Sequence, residues 1–160
     1  MEMRPATTDD FADIKAVAHA AWTAAYADAL AGETISRTVD EWYSEASLQR
    51  ILDQPETDFL VADNGGVVGF CHGVGHDGEG DIVRLYTHPD RWDEGIGYRL
   101  YERLRDDMRD SNVPEMKAIV VESDEMARTL FTRMGFTESG SGSVKMGDET
   151  VGEIVYSRAI

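Results

Sequence analysis

Apolar and polar residues recur with two different periods along the chain, which predicts a mixed order of strands and helices. Short runs rich in β-branched and aromatic residues predict strands at Glu2–Pro5, 59–63, 67–74, 82–87, 116–121 and 151–157. Apolar residues at helical spacing predict helices that begin near 7–10, 38–41, 95–97 and 123–124. This order is typical of the α/β class in its mixed, α+β form.

Glycine and capping residues predict where the helices of the first half begin and end. Gly32 is expected to break the first helix, because glycine is a poor helix former. The sequence Thr-Val-Asp-Glu at 38–41 fits a capping box and predicts the start of a second helix that ends near Pro55. The first half is therefore expected to contain two helices.

The same reasoning applies to the last 40 residues. Met126 is expected to face inward on the helix that follows Ser123 or Asp124, and Gly135 is expected to end that helix. Glycines at 140–142 and at Gly147 predict one hairpin loop before the final strand.

Residues 81–105 carry the most informative pattern of the chain. A strand stops at Pro89, and a helix opens at Gly95-Ile96-Gly97. The first turn of a helix has unpartnered N–H groups and a partial positive charge, so this joint is suited to a phosphate. No P-loop sequence occurs, and the third glycine of the dinucleotide fingerprint is missing. Taken alone, Gly-x-Gly more often marks a tight loop.

The longer string is more specific. Leu85-Tyr86-x-x-Pro89, the Gly-x-Gly six residues on and the amphipathic helix that follows resemble the acetyl-coenzyme A signature of the GCN5-related N-acetyltransferase (GNAT) superfamily. The segment 122–136 resembles the later motif of the same family at the same spacing. The two linked motifs cover about half of the chain.

The resemblance implies a single GNAT-like domain over residues 1–160. Its fold would be a central, mostly antiparallel twisted sheet of six to seven strands flanked by about four helices, two of which form a lid beside the acceptor. The implied activity is transfer of an acetyl group from acetyl-CoA to a primary amine, directly in a ternary complex. The alternative is an acyl-CoA-binding regulatory module with little or no turnover. Family members often form homodimers, so a homodimer is compatible with the resemblance.

The resemblance also assigns the contacts of acetyl-CoA. Strand backbone at a bulge would meet the acetyl-pantetheine arm, and the amides of residues 93–98 would hold the pyrophosphate. The expected contacts are Leu85, Tyr86, Thr87, Trp92, Asp93, Glu94, Gly95, Ile96, Gly97, Tyr98, Asp124 and Phe131. Arg91, Arg99 and Arg103 are candidates to face the phosphates, or equally to pair with acidic neighbours.

Four positions depart from the family's usual residues. Trp92 stands where Gln or Arg is usual, and Asp124 stands where Asn is usual. The frequent general-acid tyrosine falls on Phe131, which cannot donate a proton. The glutamate base of the ribosomal-protein acetyltransferases falls on Ile119. The usual acid and base are therefore both missing.

Other side chains are candidates for the chemistry and for the acceptor. Strand alternation places Ile82, Arg84 and Tyr86 on one face, so Tyr86 is a candidate acid or acceptor-orienting group, with core packing as the equal alternative. His72 on the neighbouring strand is a candidate base acting through water, and core packing is the alternative for it. Trp22 and Tyr26 either line the acceptor site or pack in the core.

The charge of the chain is strongly negative, with 31 Asp and Glu against 15 Lys and Arg, a net charge of −16. Lysine contributes only three of the basic residues. Such a surface suits high salt, where repulsion is screened, and we therefore expect a salt-adapted source, a halophilic archaeon. It disfavours nucleic acid as a partner, since there is no basic stripe.

Composition also bears on location and metal binding. No apolar run approaches the length of a membrane span, and the first ten residues lack an apolar signal core, so we expect a cytoplasmic protein without a membrane partner. The single cysteine, Cys71, cannot build a thiolate metal cluster, and its apolar context predicts a buried thiol. No metal is expected.

Overall fold

The computed structural model describes residues 1–76 and 78–160. The strands are β1 (Glu2–Pro5), β2 (Thr57–Asp63), β3 (Val67–His76), β4 (Glu79–Thr87), β5 (Glu115–Val121), β6 (Thr137–Met146) and β7 (Glu149–Ala159). The α-helices are α1 (Phe11–Tyr26), α2 (Gly32–Trp42), α3 (Glu45–Asp53), α4 (Ile96–Asp110) and α5 (Glu125–Arg133). Short 3₁₀ helices at Thr8–Asp10 and Pro89–Glu94 lead into α1 and α4.

The strands form one sheet in the order β1-β2-β3-β4-β5-β7-β6. The β4–β5 pair is parallel and the other pairs are antiparallel. The prediction of a mixed α/β fold with a mostly antiparallel sheet is therefore confirmed. Over the described residues there are five α-helices, one more than the expected four or so, because the second predicted helix is two.

Helices cover both faces of the sheet. Apolar residues of α4 and α5 pack with one set of strand side chains, and Leu100 and Leu104 are fully buried there. Residues of α1, α2 and α3 pack on the opposite face, where Ile14 and Val39 are fully buried. Alternation along β3 places Phe70 in the second layer and Cys71 in the first. Burial also raises the pKa of the Cys71 thiol, as the prediction of a buried thiol requires.

The first pair of helices differs from the prediction. Gly32 begins α2 and does not end α1, which stops at Tyr26. Thr38 lies inside α2, where its hydroxyl donates to the carbonyl of Thr34 at 2.7 Å, so 38–41 is not a capping box. The N-cap that starts α3 is Ser44, whose Oγ accepts from the amide of Ser47 at 3.1 Å.

The C-terminal hairpin also differs from the prediction. Residues 140–142 are not a loop but lie in β6, paired with β7. The tight turn is at Gly147, with φ of +60°. Strand β6 has an exposed edge and almost no buried side chain, so its sequence lacks the apolar alternation that marks a strand. Met126 is 39% exposed and does not face the core, because α5 presents that position to a surface groove.

Strands β4 and β5 diverge in the middle of the sheet. They pair only between Gly80–Ile82 and Met116–Ala118. On the other side of β4, His72 pairs with Arg84 and Gly73 pairs with Ile82, so Val83 is the extra residue of a β-bulge. The bulge separates Ile82 from Arg84: Ile82 packs with α4, whereas the Arg84 guanidinium lies over the Tyr43 ring on the opposite face. The prediction that Ile82 shares a face with Arg84 and Tyr86 is therefore wrong.

Over the described ranges, none of the helices has both the length and the apolar character needed to cross a membrane.

Arg4 joins β1 to the start of α1 and to β2. Its Nη1 and Nη2 donate to the two carboxylate oxygens of Asp10 at 2.8 and 2.9 Å, and Nη2 also reaches Asp63 at 3.1 Å. The amide of Thr7 donates to Asp10 at 2.8 Å. These hydrogen bonds, Arg4 first, hold the pKa of Asp10 below its ordinary value. Asp10 therefore stabilises the fold when ionised.

We expect Asp10→Ala to lower the free energy of unfolding by about 2 kcal/mol, because charge-assisted hydrogen bonds are lost. Since the folded pKa lies below the unfolded one, the contribution is present at neutral pH and disappears as the pH falls below about 4. Urea unfolding at pH 7 and at pH 3 measures both effects, with Asp13→Ala on the exposed side of α1 as the control. A cost that is equal at the two pH values would contradict this account.

Candidate active site

A groove of about 410 Å³ opens where β4 ends and α4 begins. It lies between the end of β4, the 3₁₀ turn, the first turn of α4 and one side of α5, with α1 at its rim. Its lining residues are Ala21, Ala25, Leu85, Tyr86, Thr87, Trp92, Asp93, Gly95, Gly97, Tyr98, Asp124, Glu125, Met126, Ala127, Thr129, Leu130 and Arg133. We call it the β4–α4 groove.

The start of α4 presents backbone N–H groups to this groove. Gly95 is the N-cap and has φ of +73°, a conformation that glycine adopts without strain. The N–H groups of Ile96, Gly97 and Tyr98 have no partner within α4, because they belong to its first turn. A Cβ on Gly97 would come within 3.1 Å of Leu130, so glycine keeps the space between α4 and α5 open. An anion placed here would meet three amides and the positive end of the helix.

The 3₁₀ turn is fixed against the strand by Trp92. Its indole Nε1 donates to the carbonyl of Thr87 at 2.9 Å, while its ring lines the groove. The 3₁₀ turn at Pro89–Glu94 uses amides for its own hydrogen bonds. Of the expected amides at 93–98, those at the helix start are therefore the ones best placed for a ligand.

The three arginines that were candidates to face the phosphates have different partners in the structure. Arg99 donates to the carbonyl of Met1 at 3.2 Å, and Arg103 donates to that of Met3 at 2.9 Å, so both secure β1. Arg91 stays beside the 3₁₀ turn and pairs with Glu94 at 3.1 Å. Arg133 lines the groove and was missed by the sequence analysis. Arg133 follows Thr129 by four residues and Leu130 by three, and this helical spacing could have placed it on the same face of α5.

Most of the residues expected to contact a cofactor line the groove, but three do not. Ile96 is buried in the core beneath the helix start. The Glu94 carboxylate faces Arg91. Phe131 is buried against Tyr156 and Phe136, with ring centroids 6.1 and 5.2 Å away. The side chains of these three residues are therefore not part of the groove wall.

Tyr86 lies where the groove meets the cleft between β4 and β5. Its hydroxyl is 2.9 Å from the hydroxyl of Tyr26 on α1, and both side chains line the cleft. Burial raises the pKa of both phenols above the ordinary value, so both are protonated at neutral pH and can donate. Trp22 lies behind them, buried, with its ring centroid 6.2 Å from that of Tyr86.

The model of the acetyltransferase (GNAT) family matches residues 14–136. The chain belongs to this family. The expected family is confirmed.

Individual proteins agree with this assignment. An IAA acetyltransferase from Azospirillum brasilense is 30% identical over 95 residues, which are 56% of this chain and 60% of that protein's length. The crystal structure of PaiA N-acetyltransferase from Thermoplasma acidophilum in complex with coenzyme A is 22% identical, with a TM-score of 0.83 over 95% of this chain and 96% of that one. A GCN5-related N-acetyltransferase from Rhodopseudomonas palustris is 21% identical, with a TM-score of 0.83 over 99% and 95%. Both structures share the fold.

Asp124 places a buried carboxyl group in the wall of this groove. It is the N-cap of α5, where one carboxylate oxygen accepts from the amide of Ala127 at 3.1 Å. It is 7% exposed, and burial raises its pKa above the ordinary value. It lines both the groove and the cleft, so it brings a carboxyl group close to Tyr86.

His72 is buried on the face of the sheet that α1, α2 and α3 cover. Its Nδ1 is 2.7 Å from Nη1 of Arg84, and its ring stacks on Phe59 at 5.5 Å. Because a guanidinium only donates, Nδ1 is the acceptor and the proton of the neutral ring is on Nε2. Burial first, and the charge of Arg84 second, lower the pKa of His72 to about 4. The imidazole is neutral at pH 7.

Within ranges 1–76 and 78–160, no group of three or more His, Cys, Asp or Glu side chains is arranged to hold a metal ion.

Proposed function

We propose that this GNAT protein transfers an acetyl group from acetyl-CoA to a primary amine, directly and without an acyl-enzyme. The observation that carries the proposal is the arrangement of the sheet: free helix-start amides lie beside a strand that has separated from its neighbour, with a phenol at the junction. The coenzyme A bound by the PaiA enzyme of the same fold supports the choice of donor.

In this proposal the groove holds the donor through backbone groups. The amides at the start of α4 bind the pyrophosphate, and Arg133 at the groove wall offsets its charge. The pantetheine arm runs along residues 85–87, which lie beyond the last residue pair between β4 and β5. Residues 85–87 remain paired with β3, so an N–H on the side that β5 has left would hold the thioester oxygen as negative charge develops on it.

The reaction then requires one proton to be removed from the amine and one to be supplied to the departing thiolate. The neutral amine nitrogen attacks the thioester carbon, a C–N bond forms, and the C–S bond breaks as the sulfur takes the electron pair. The amine loses a proton to the solvent side, and the departing thiolate gains one. Tyr86 is protonated at neutral pH and lies at the junction, so we assign the proton donation to its phenol, with Tyr26 orienting it through their hydrogen bond.

His72 and Trp22 have supporting roles in the proposal. The acceptor nitrogen of His72 faces Arg84, which favours positioning of that arginine over direct removal of the amine proton. The role of His72 as a base through water stays a prediction. The ring of Trp22 packs against the rings of Tyr26 and Tyr86 and holds them in place. A cytoplasmic location and a homodimer likewise stay predictions.

A second candidate function is an acyl-CoA-binding regulatory module. Phe131 favours it, because a buried phenylalanine stands where the family's usual acid would be. Both functions require donor binding, and only the first requires turnover. The two are therefore separated by thiol release.

We expect the purified protein to release coenzyme A from acetyl-CoA only when a primary amine is present. A thiol reagent follows release over a panel of amino acids, peptides, polyamines and aromatic amines, with the matched tertiary amines as controls that cannot form an amide. Release at the rate of the amine-free background throughout the panel, together with calorimetric binding of acetyl-CoA, would instead establish the regulatory module.

We also propose that the protein is adapted to high salt, on the basis of its net charge of −16. Raising KCl from 0.1 M to 2 M shortens the Debye length from about 10 Å to below 3 Å and screens the repulsion between carboxylates. We expect the melting temperature to rise by roughly 10 °C, the equivalent of a few kcal/mol for a chain of this size. Calorimetric scans measure it, with sorbitol at equal osmolality as control. An unchanged melting temperature would refute the adaptation.

A further inference from the structure

A second recess shares Arg84 with the β4–β5 cleft. It measures about 360 Å³ and lies between the end of α2, α3 and β4. Its lining residues are Trp42, Ser47, Arg50, Ile51, Gln54 and Arg84. Of the residues that the structure describes, two arginines and no acidic side chain line it, in a chain with about twice as many acidic as basic residues. The charge of this recess is therefore opposite to that of the protein.

In the part of the chain that the structure describes, neither arginine has an acidic partner. Among residues 1–76 and 78–160, no carboxylate lies within 4.0 Å of the guanidinium of Arg84 or Arg50. Arg84 is half-buried and is held by Nδ1 of His72 at 2.7 Å and by the Tyr43 ring at 5.3 Å. Arg50 is exposed at the mouth of the recess, 3.1 Å from the Ser47 hydroxyl. A partly desolvated cation without a counter-ion is a site for an anion.

Arg84 connects this recess to the proposed reaction centre. It lines both the recess and the β4–β5 cleft. After the bulge, Arg84 and Tyr86 lie two residues apart on the same face of β4, a rise of about 7 Å. This spacing lets one small molecule place an anionic group on Arg84 and a reacting group near the Tyr86 hydroxyl.

We propose that the acceptor is a small primary amine that also carries a carboxylate, and this inference rests on the proposed acetyltransferase function. The planar guanidinium of Arg84 binds the carboxylate, Arg50 attracts it at the mouth, and the amine points along β4 toward Tyr86. The overall negative field attracts cationic amines, but at the site itself a polyamine would face Arg84 with like charge. Local chemistry thus selects an amino-acid-like acceptor.

The test compares amines in matched pairs with and without the carboxylate. The pairs are phenylalanine with phenethylamine, leucine with isoamylamine, and 4-aminobutyrate with propylamine, and spermidine is added as a polycation. Thiol release gives kcat/KM for the wild type, Arg84→Gln and Arg50→Gln, with Arg37→Gln on the exposed side of α2 as the control for loss of one positive charge. Acetyl-CoA affinity by calorimetry reports whether each variant is folded.

We expect the acid of at least one pair to exceed its amine by about tenfold or more in kcat/KM, as a charge-assisted pair provides. Arg84→Gln should remove this preference, mainly through KM, Arg50→Gln should reduce it severalfold, and Arg37→Gln should leave it unchanged. A preference for spermidine or the simple amines, or a preference that survives Arg84→Gln, would overturn this inference and leave the proposed acetyltransferase function standing.

If no amine gives turnover, the proposed function fails, and the carboxylate site is tested by calorimetry of the acids with the coenzyme A-loaded protein. Binding that requires Arg84 supports the recess as a carboxylate site. Absence of binding overturns it.

Discussion

Replacing Gly97 with aspartate is expected to weaken acetyl-CoA binding by about a thousandfold, because a carboxylate about 4 Å from a phosphate costs on the order of 4 kcal/mol at an effective dielectric of 20. The new side chain would stand in the first turn of α4, next to the amides that we assign to the pyrophosphate. Its Cβ would displace only the end of the flexible Leu130 side chain. Isothermal titration calorimetry in 2 M KCl, repeated at lower salt, measures the loss.

The matched control for this variant is Gly142→Asp. Gly142 lies on the exposed strand β6 with open space around its Cβ position, so the same charge is added without a new contact. Its acetyl-CoA affinity should equal that of the wild type. If Gly97→Asp keeps the wild-type affinity to within threefold while its melting temperature is normal, the helix start does not bind the donor.

Tyr86→Phe is expected to lower kcat by about two to four orders of magnitude, the usual contribution of a positioned general acid. The phenol lies at the junction of groove and cleft, and its removal leaves the departing thiolate without a proton donor. Because the ring remains, the affinity for acetyl-CoA should stay within twofold of the wild type. Steady-state kinetics and calorimetry give the two quantities.

Tyr26→Phe separates proton donation from orientation. It removes only the partner hydroxyl 2.9 Å from Tyr86, so we expect a smaller fall in kcat than Tyr86→Phe causes.

Since the pKa of Tyr86 is raised well above its ordinary value of about 10, the wild type should not lose activity through deprotonation of Tyr86 up to about pH 9. A Tyr86→Phe enzyme with at least half of the wild-type kcat would eliminate the phenol as the acid.

The helix-start part of the site could be predicted from sequence because its signal is local. A strand that stops at Pro89 and a helix that opens with Gly95 and Gly97 place free amides beside a strand end whatever the rest of the fold does. Which side chains face the expected ligand could be predicted less well from the sequence. Glu94 and Ile96 lie at this joint and Phe131 lies in α5, but their side chains turn to Arg91 or to the core, and the motifs do not encode that direction.

The acceptor side was much harder to predict because it depends on contacts between distant segments. The bulge at Val83 breaks the alternation of side chains along β4, and the residue type at that position does not predict a bulge. The pairing of Arg84 with His72 depends on the register between two strands, and the recess needs α3, whose start was misplaced. The misplacement has a simple cause: Thr38 resembles a cap but its hydroxyl bonds within the helix.

The claim that unites the site is that the backbone amides at the start of α4 bind the diphosphate of acetyl-CoA. The most direct measurement is a ¹⁵N-amide NMR titration with acetyl-CoA at 2 M KCl. We predict that the largest shift changes fall on Ile96, Gly97 and Tyr98, followed by residues 85–87. A well-dispersed spectrum in which these amides do not move at millimolar acetyl-CoA would contradict the account.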